Sequence, residues 1–386
     1  MNAKRSKTIL LVLVVIWIAL TVGAFTPYVI LNSSRYRIIR IAILAVMMLI
    51  VVAFSCIKAV KYNKFIAWYM AVVGIVGIEL FTFKAFDLNV SYNDIVLLVF
   101  TFLATCIGYK AGFDKRKIEV LTLIYGMLAT ALGVLTMIGF VGAIRLTNYM
   151  YVIDTKNMVG QIVATGGIGL TIVTFGRKRI QWWEIILLVF TVILIFLLRC
   201  RTAIVAFILF GALYGHRAFD SKALILSFYV VLIALLFFSS QVFSFLDTVF
   251  VGRFDVTDIE SLSAGRMHRN VQGMEFFFAH PFFGEMGAHS ELQNIHNYVI
   301  KRLAAYGFFS LPILAFYFWF TVKVIKEWIA ADVKDYYNVG SLMMIIPFFA
   351  SLLEPLSPFG PGLVQIIPFF FYGCSLRSMD DKKKPQ

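Results

Sequence analysis

IEVLTLIYGMLATALGVLTMIG, running from Ile118 to Gly139, carries one charged residue, Glu119, and no proline. At about 1.5 Å of rise per residue, a helix of this length crosses the roughly 30 Å hydrocarbon core of a bilayer. Runs of the same kind recur along the whole chain. About twelve of them meet or approach the length requirement: 8–26, 38–57, 65–83, 92–109, 118–139, 157–175, 182–198, 201–215, 222–246, 303–322, 338–354 and 359–376. The seventh and eighth nearly touch, so Arg199-Cys200-Arg201 is either the tip of a tight hairpin or the break in one long helix. Composition agrees with a membrane protein: 61% of the 386 residues are hydrophobic and 15% charged, against about 25% charged in an ordinary soluble domain. The expected fold is all-α. It is a polytopic integral membrane protein with a single transmembrane domain over 1–386 and one large extracytoplasmic loop, 247–295, that carries short helices.

Charge sets the expected orientation. Lys4, Arg5 and Lys7 precede an apolar run as in a signal peptide, but the run is too long, and no small-x-small site leading into a soluble domain follows. With the N-terminus inside, most of the 35 basic residues fall in short inward connections, among them Lys58, Lys61, Lys64, Lys110, Arg116 and Lys117. By the positive-inside rule both termini then lie in the cytoplasm and the long polar loop lies outside. The net charge of +14 is therefore a topology signal. It is scattered over many loops and offers no continuous basic surface for nucleic acid. Cys56, Cys106 and Cys374 fall near inner halves of spans, where they suit packing. Cys200 alone approaches the outer side and has no partner there for a disulfide.

The outward loop concentrates polar chemistry. It places His268, His280, His289 and His296 near Arg253, Arg266 and Arg269, and only His216 lies elsewhere. From Ser263 to Phe278 the apolar Met267, Val271, Met274 and Phe278 recur at helical spacing, with Arg266, Arg269, Asn270 and Gly273 on the other side. The pattern predicts an amphipathic helix against the membrane core, capped by Ser263 and ended by His280-Pro281. Gly284 and Gly287 mark a turn, after which Asn294 caps a helix that carries His296 in its first turn. A helix N-terminus disfavours a protonated imidazole, so His296 is expected to be neutral there. The histidine spacing contains no HxH or HExxH pattern, and no metal or other cofactor is expected.

Each of these residues also has an ordinary reading. Loop histidines usually serve as surface or hydrogen-bonding groups. Arg199 and Arg201 can anchor an interface by snorkelling, although positive charge is disfavoured on the outer side, which favours a functional role. Glu79, Glu184 and Glu354 lie in or at spans and are explained equally by pairing within the bundle or by function. Asp154, Lys156 and Asn157 precede the sixth span as interfacial polar residues, and Gly166, Gly167 and Gly169 within it favour close helix packing.

Taken in order, Asp154-Thr-Lys-Asn157 opening a span, Arg201-Thr-Ala opening another, Ser263-Ala-Gly-Arg266, His280-Pro281 with Gly284 and Gly287, and His296-Asn297 leading to Gly307 resemble one family. It is the O-antigen polymerase and O-antigen ligase superfamily of bacterial membrane glycosyltransferases. The resemblance covers 154–320 and departs from the pattern at Cys200, where a smaller polar residue is expected. It implies a polyprenyl-diphosphate-linked oligosaccharide as donor and acceptor, and membrane lipid as surroundings. A flippase and a chain-length regulator of the same pathway are implied partners. Arg201 and Arg266 would bind the leaving diphosphate through paired guanidinium donors, and His296 would take the proton of the acceptor hydroxyl. Arg199, Arg269, Asn297, Lys156 and Asn157 would bind substrate. No DxD motif occurs in the outward segments, which implies a metal-free, inverting displacement. The modest loop favours a polymerase over a ligase. A lipid-linked oligosaccharide flippase is the alternative from another class; it would spread its charges along a central cavity in place of one outer loop.

Overall fold

The structure, a computed structural model, describes residues 3–85, 92–139, 155–177, 181–198, 200–218, 266–284, 295–332, 335–360 and 362–383. Among the described residues all regular structure is helical. Among the described residues six helical stretches are long and apolar enough to cross a membrane: Ser6–Gly23, Ser33–Ala53, Lys64–Phe83, Lys115–Gly139, Asn157–Gly176 and Tyr298–Ala330. Shorter apolar stretches run through Ile95–Ala111, Trp182–Leu197, Thr202–Tyr214 and Tyr336–Ala350. Ile38, Ile78, Phe81, Ile186 and Ile329 stand exposed on these helices. Large apolar side chains on the outside are costly in water and natural against lipid, so the helices fit a membrane-embedded protein.

The bundle is built on α1 (Ala3–Gly23), α2 (Ser33–Ala53), α3 (Lys64–Ala85), α4 (Tyr92–Ala111), α5 (Lys115–Gly139) and α6 (Thr155–Gly176). There follow α7 (Trp182–Leu197), α8 (Arg201–Ala218), α9 (Arg266–Ala279), α10 (Tyr298–Tyr306), α11 (Leu311–Ala330), α12 (Val339–Met343), α13 (Ile345–Ala350) and α14 (Ile366–Lys383). The tightest seam joins α4 to α14. A Cβ added at Gly108 would lie 2.0 Å from the Phe370 carbonyl oxygen, and one at Gly373 would lie 2.2 Å from that of Thr105. Only glycine lets the two backbones touch. On α6 the expected packing role of its glycines holds, with Gly166 against Ala129, Gly167 against Thr191, Ile195 and Phe207, and Gly169 against Thr122 and Met343. An aromatic cluster of Phe65, Tyr69, Phe316, Phe320, Phe359, Phe369 and Tyr372 fills the space between α3, α11 and α14.

Gly167 meets both α7 and α8, while Gly160 meets Cys200 and Phe175 meets the Tyr214 ring. α7 therefore runs antiparallel to α6, and α8 returns parallel to it. The open question about the seventh and eighth segments resolves as a hairpin, with its tip between Leu198 and Arg201.

Three expected segments differ from the structure. The stretch expected at 303–322 begins earlier, as α10, bends through a short turn at Gly307–Ser310 and continues as α11, whose start carries Pro312. The stretch expected at 338–354 is two short helices broken at Met344, because Pro347 supplies no amide hydrogen to the helical ladder. The stretch expected at 359–376 becomes helical only at Ile366. Between Ala350 and Ile366 the sequence carries Pro355, Pro358, Gly360, Pro361 and Gly362, which cannot sustain a helix. Irregular backbone is tolerated at membrane depth only where protein or a polar cavity covers it. Ser357, Phe359, Leu363 and Val364 are accordingly buried. Residues 222–246 and most of the loop 247–295, including His289 and Arg253, lie outside the described residues.

Connections expected inside share one end of the bundle. Lys7 Nζ donates to the Gly112 carbonyl at 3.5 Å, Asn63 Nδ2 to Asp380 at 2.7 Å and Lys382 Nζ to Asp335 at 2.9 Å. Arg177 joins Glu119 and Glu184 at the foot of α6, so for Glu184 the pairing explanation holds. The four cysteines are buried and none forms a disulfide.

Candidate functional site at the far end of the bundle

The opposite end of α6 is where the segments singled out in sequence converge. Lys156 and Asn157 lie in its first turn. Asn157 Nδ2 donates to Glu354 Oε1 at 3.1 Å, and Arg266 Nη2 stands 3.8 Å from the same oxygen. Cys200 Sγ lies 3.8 Å from the Asn157 carbonyl, so the α7–α8 tip, with Arg201 opening α8, sits beside it. Arg199 falls outside the described residues.

α9 carries the two arginines. The predicted amphipathic pattern is present, and the described helix begins at Arg266; Ser263 lies outside the described residues. Its faces divide as the sequence arranges them. Gly273 is buried against Ile295 and Ile300, which brings the arginine side onto α10, while Met267, Val271 and Phe278 are exposed on the other side. Arg266 and Arg269 are three apart and so are neighbours on one face.

The turn after α9 locks this orientation. Gly284 and Gly307 both have positive φ, +62° and +55°, and each packs on the backbone of the other's segment. A Cβ on Gly284 would lie 2.5 Å from the Ala305 carbonyl carbon, and one on Gly307 2.4 Å from the Pro281 oxygen. The Phe308 amide donates to that Pro281 oxygen at 2.8 Å. The His280-Pro281, Gly284 and Gly307 elements, scattered in sequence, thus form one joint.

His296 precedes the helix instead of opening it, which corrects one expectation. The cap is Asn297, whose side chain accepts from the Ile300 amide at 3.1 Å, and α10 begins at Tyr298. Asn294 lies outside the described residues. The capping geometry goes to Asn297 because that residue is extended, at φ −137° and ψ 128°, leaving its oxygen over the first free amides. Asn297 Nδ2 donates to the Leu352 carbonyl at 3.3 Å, and the Tyr298 amide to that of Ser351 at 3.0 Å. The start of α10 is therefore tied to the irregular segment after α13.

Arg269 Nη1 lies 3.3 Å from His296 Nε2. A guanidinium only donates, so Nε2 is the accepting, unprotonated nitrogen in this pair. The imidazole lone pair at Nε2 thus faces the Arg269 guanidinium. Among the described residues no group of three or more His, Cys, Asp or Glu could hold a metal ion.

Arg266, Arg269, His296, Asn297 and Asn157 are thus gathered at one end from stretches far apart in sequence. Glu354 joins them although it carried no assigned role; its signal was a carboxylate inside an apolar run. Arg302 was also passed over. It is buried, with its guanidinium 4.3 Å from the Tyr306 ring centroid. No protein-family model matches the chain, and no curated protein matches it either.

Proposed function

We propose that the chain is a polyprenyl-diphosphate-dependent glycosyltransferase of the bacterial cytoplasmic membrane, joining lipid-linked repeat units on the outer side as a surface-polysaccharide polymerase. The observation that carries this reading is the convergence of Arg266 and Arg269 with His296 beside a membrane-embedded bundle. Paired cations suit a diphosphate, and a neutral imidazole suits removal of a hydroxyl proton.

The residues divide the work as follows. Arg266, with Arg201, takes the diphosphate oxygens, and Asn157, Lys156 and Arg199 are assigned to binding the same diphosphate donor. Arg269 turns from His296 to the phosphate when the donor enters, which frees Nε2. The acceptor hydroxyl gives its proton to Nε2 as its oxygen bonds to the anomeric carbon. The bond from that carbon to the phosphate oxygen breaks, and the diphosphate leaves with the electron pair. One displacement inverts the anomeric centre, and no step calls on a metal.

Purified protein given only a polyprenyl-diphosphate-linked repeat unit is expected to yield a ladder of longer lipid-linked glycans, unaffected by chelators. Products that form only after lipid A core or another acceptor is added would mark a ligase. Movement of the lipid across a liposome bilayer without bond formation would mark a flippase. Strong chelator inhibition reversed by added metal would reject the metal-free displacement.

The proposed orientation has its own test. Ser261→Cys is expected to react with an impermeant thiol reagent in whole cells, and Ser378→Cys, near the C-terminus, to stay protected. The reverse pattern would turn the protein over and remove the site from the outer face.

A further inference from the structure

Glu354 is 6% exposed, and its described partners, Arg266 and Asn157, are both residues assigned above to the diphosphate. A carboxylate oxygen and a phosphate oxygen are alternative acceptors for the same donors. Both cannot be held there at once without strong like-charge repulsion, since the site is poorly screened. The Arg266 contact, at 3.8 Å, is longer than the 2.7–2.9 Å typical of a tight charge-assisted hydrogen bond. The Arg266 side chain is 26% exposed and that of Glu354 8%, so the guanidinium is the more accessible member of the pair. Glu354 also stands on the irregular segment between α13 and α14, where backbone movement breaks no helical ladder, whereas Asn157 is fixed on α6.

We propose that Glu354 is the resident counter-ion of the diphosphate site. It holds Arg266 and Asn157 while the site is empty and yields them to the entering donor. It then returns to compete off the polyprenyl diphosphate left after transfer. This rests on the function proposed above and deepens it. The leaving group keeps both phosphates and its full charge once the glycosidic bond has formed, so cations arranged to bind the donor would otherwise retain the product. A competing internal carboxylate trades donor affinity for turnover. Glu354 acts as a positioning group and takes no proton from the acceptor.

The test uses the full chain in nanodiscs, with inorganic pyrophosphate as the binding probe. Glu354→Gln keeps an oxygen for Asn157 and removes the charge. It is expected to bind pyrophosphate about 10-fold tighter than wild type, while Arg266→Gln loses binding. With lipid-linked repeat unit, Glu354→Gln is expected to show a lower ratio of steady-state to first-turnover rate than wild type, with stronger inhibition by added polyprenyl diphosphate. Glu354→Ser serves in its place should the glutamine variant fold poorly. Unchanged or weaker pyrophosphate binding in a folded variant, with wild-type polymerisation intact, overturns the counter-ion role alone. Wild-type protein that neither binds pyrophosphate nor forms polymer overturns the diphosphate site and the counter-ion with it.

Discussion

Replacing His296 by alanine is expected to lower polymer formation by about 10²- to 10⁴-fold, the usual cost of removing a well-placed base, with the amount of protein in the membrane unchanged. The stability side follows from position. His296 precedes the helix cap and is only partly buried, and the capping bonds of Asn297 do not depend on it. The activity side follows from the pair with Arg269, which presents Nε2 as the accepting nitrogen. The measurement is the ladder from lipid-linked repeat unit, read beside membrane protein level and thermal stability. Near-normal ladders from His296→Ala would remove the base assignment. Arg269→Lys makes a useful companion, because lysine keeps charge but loses the planar fork that can serve imidazole and phosphate in turn.

Gly373→Val is expected to abolish the folded protein. The Cβ alone would stand 2.2 Å from the Thr105 carbonyl oxygen and 2.9 Å from the Tyr109 nitrogen, both backbone atoms of α4. Flexible side chains can yield to an intruder, but two backbones packed along one seam must separate. Overpacking ordinarily costs about 1–3 kcal/mol, and here the neighbours cannot rotate away, so the loss belongs at or above that range. Gly108→Val faces the same obstacle from the other helix, with Phe370 oxygen 2.0 Å away. The readout is monodisperse protein recovered in mild detergent and its melting temperature. Gly74→Val on α3, where an added Cβ meets nothing within 4 Å, is the control and is expected to fold. Wild-type melting in Gly373→Val would mean that the α4–α14 seam is wrongly drawn.

Much of this was legible in the sequence because burial in a membrane needs only length and apolarity, which are local properties. Ile118 to Gly139 reads as a helix without reference to any neighbour, and it is one. The amphipathic division of α9 was also readable, since period and polarity fixed which side carries Arg266 and Arg269. Breaks were harder. The chain between Ala350 and Ile366 is apolar enough to look like span, yet its prolines and glycines leave backbone groups that only surrounding protein can cover.

The sequence by itself determined the class of fold, the close-packing glycines of α6 and the residue types suited to a charged leaving group. Tertiary structure alone decided which of them meet. It set the α7–α8 pair as a hairpin beside Asn157, made Asn297 the cap in place of Asn294, closed Gly284 on Gly307, and brought Glu354 to Arg266 and Asn157. The reason is physical. Helix formation is settled by near neighbours along the chain, whereas the pairing of charges depends on which helix ends share a face of the bundle, and that is set by packing between residues far apart in sequence.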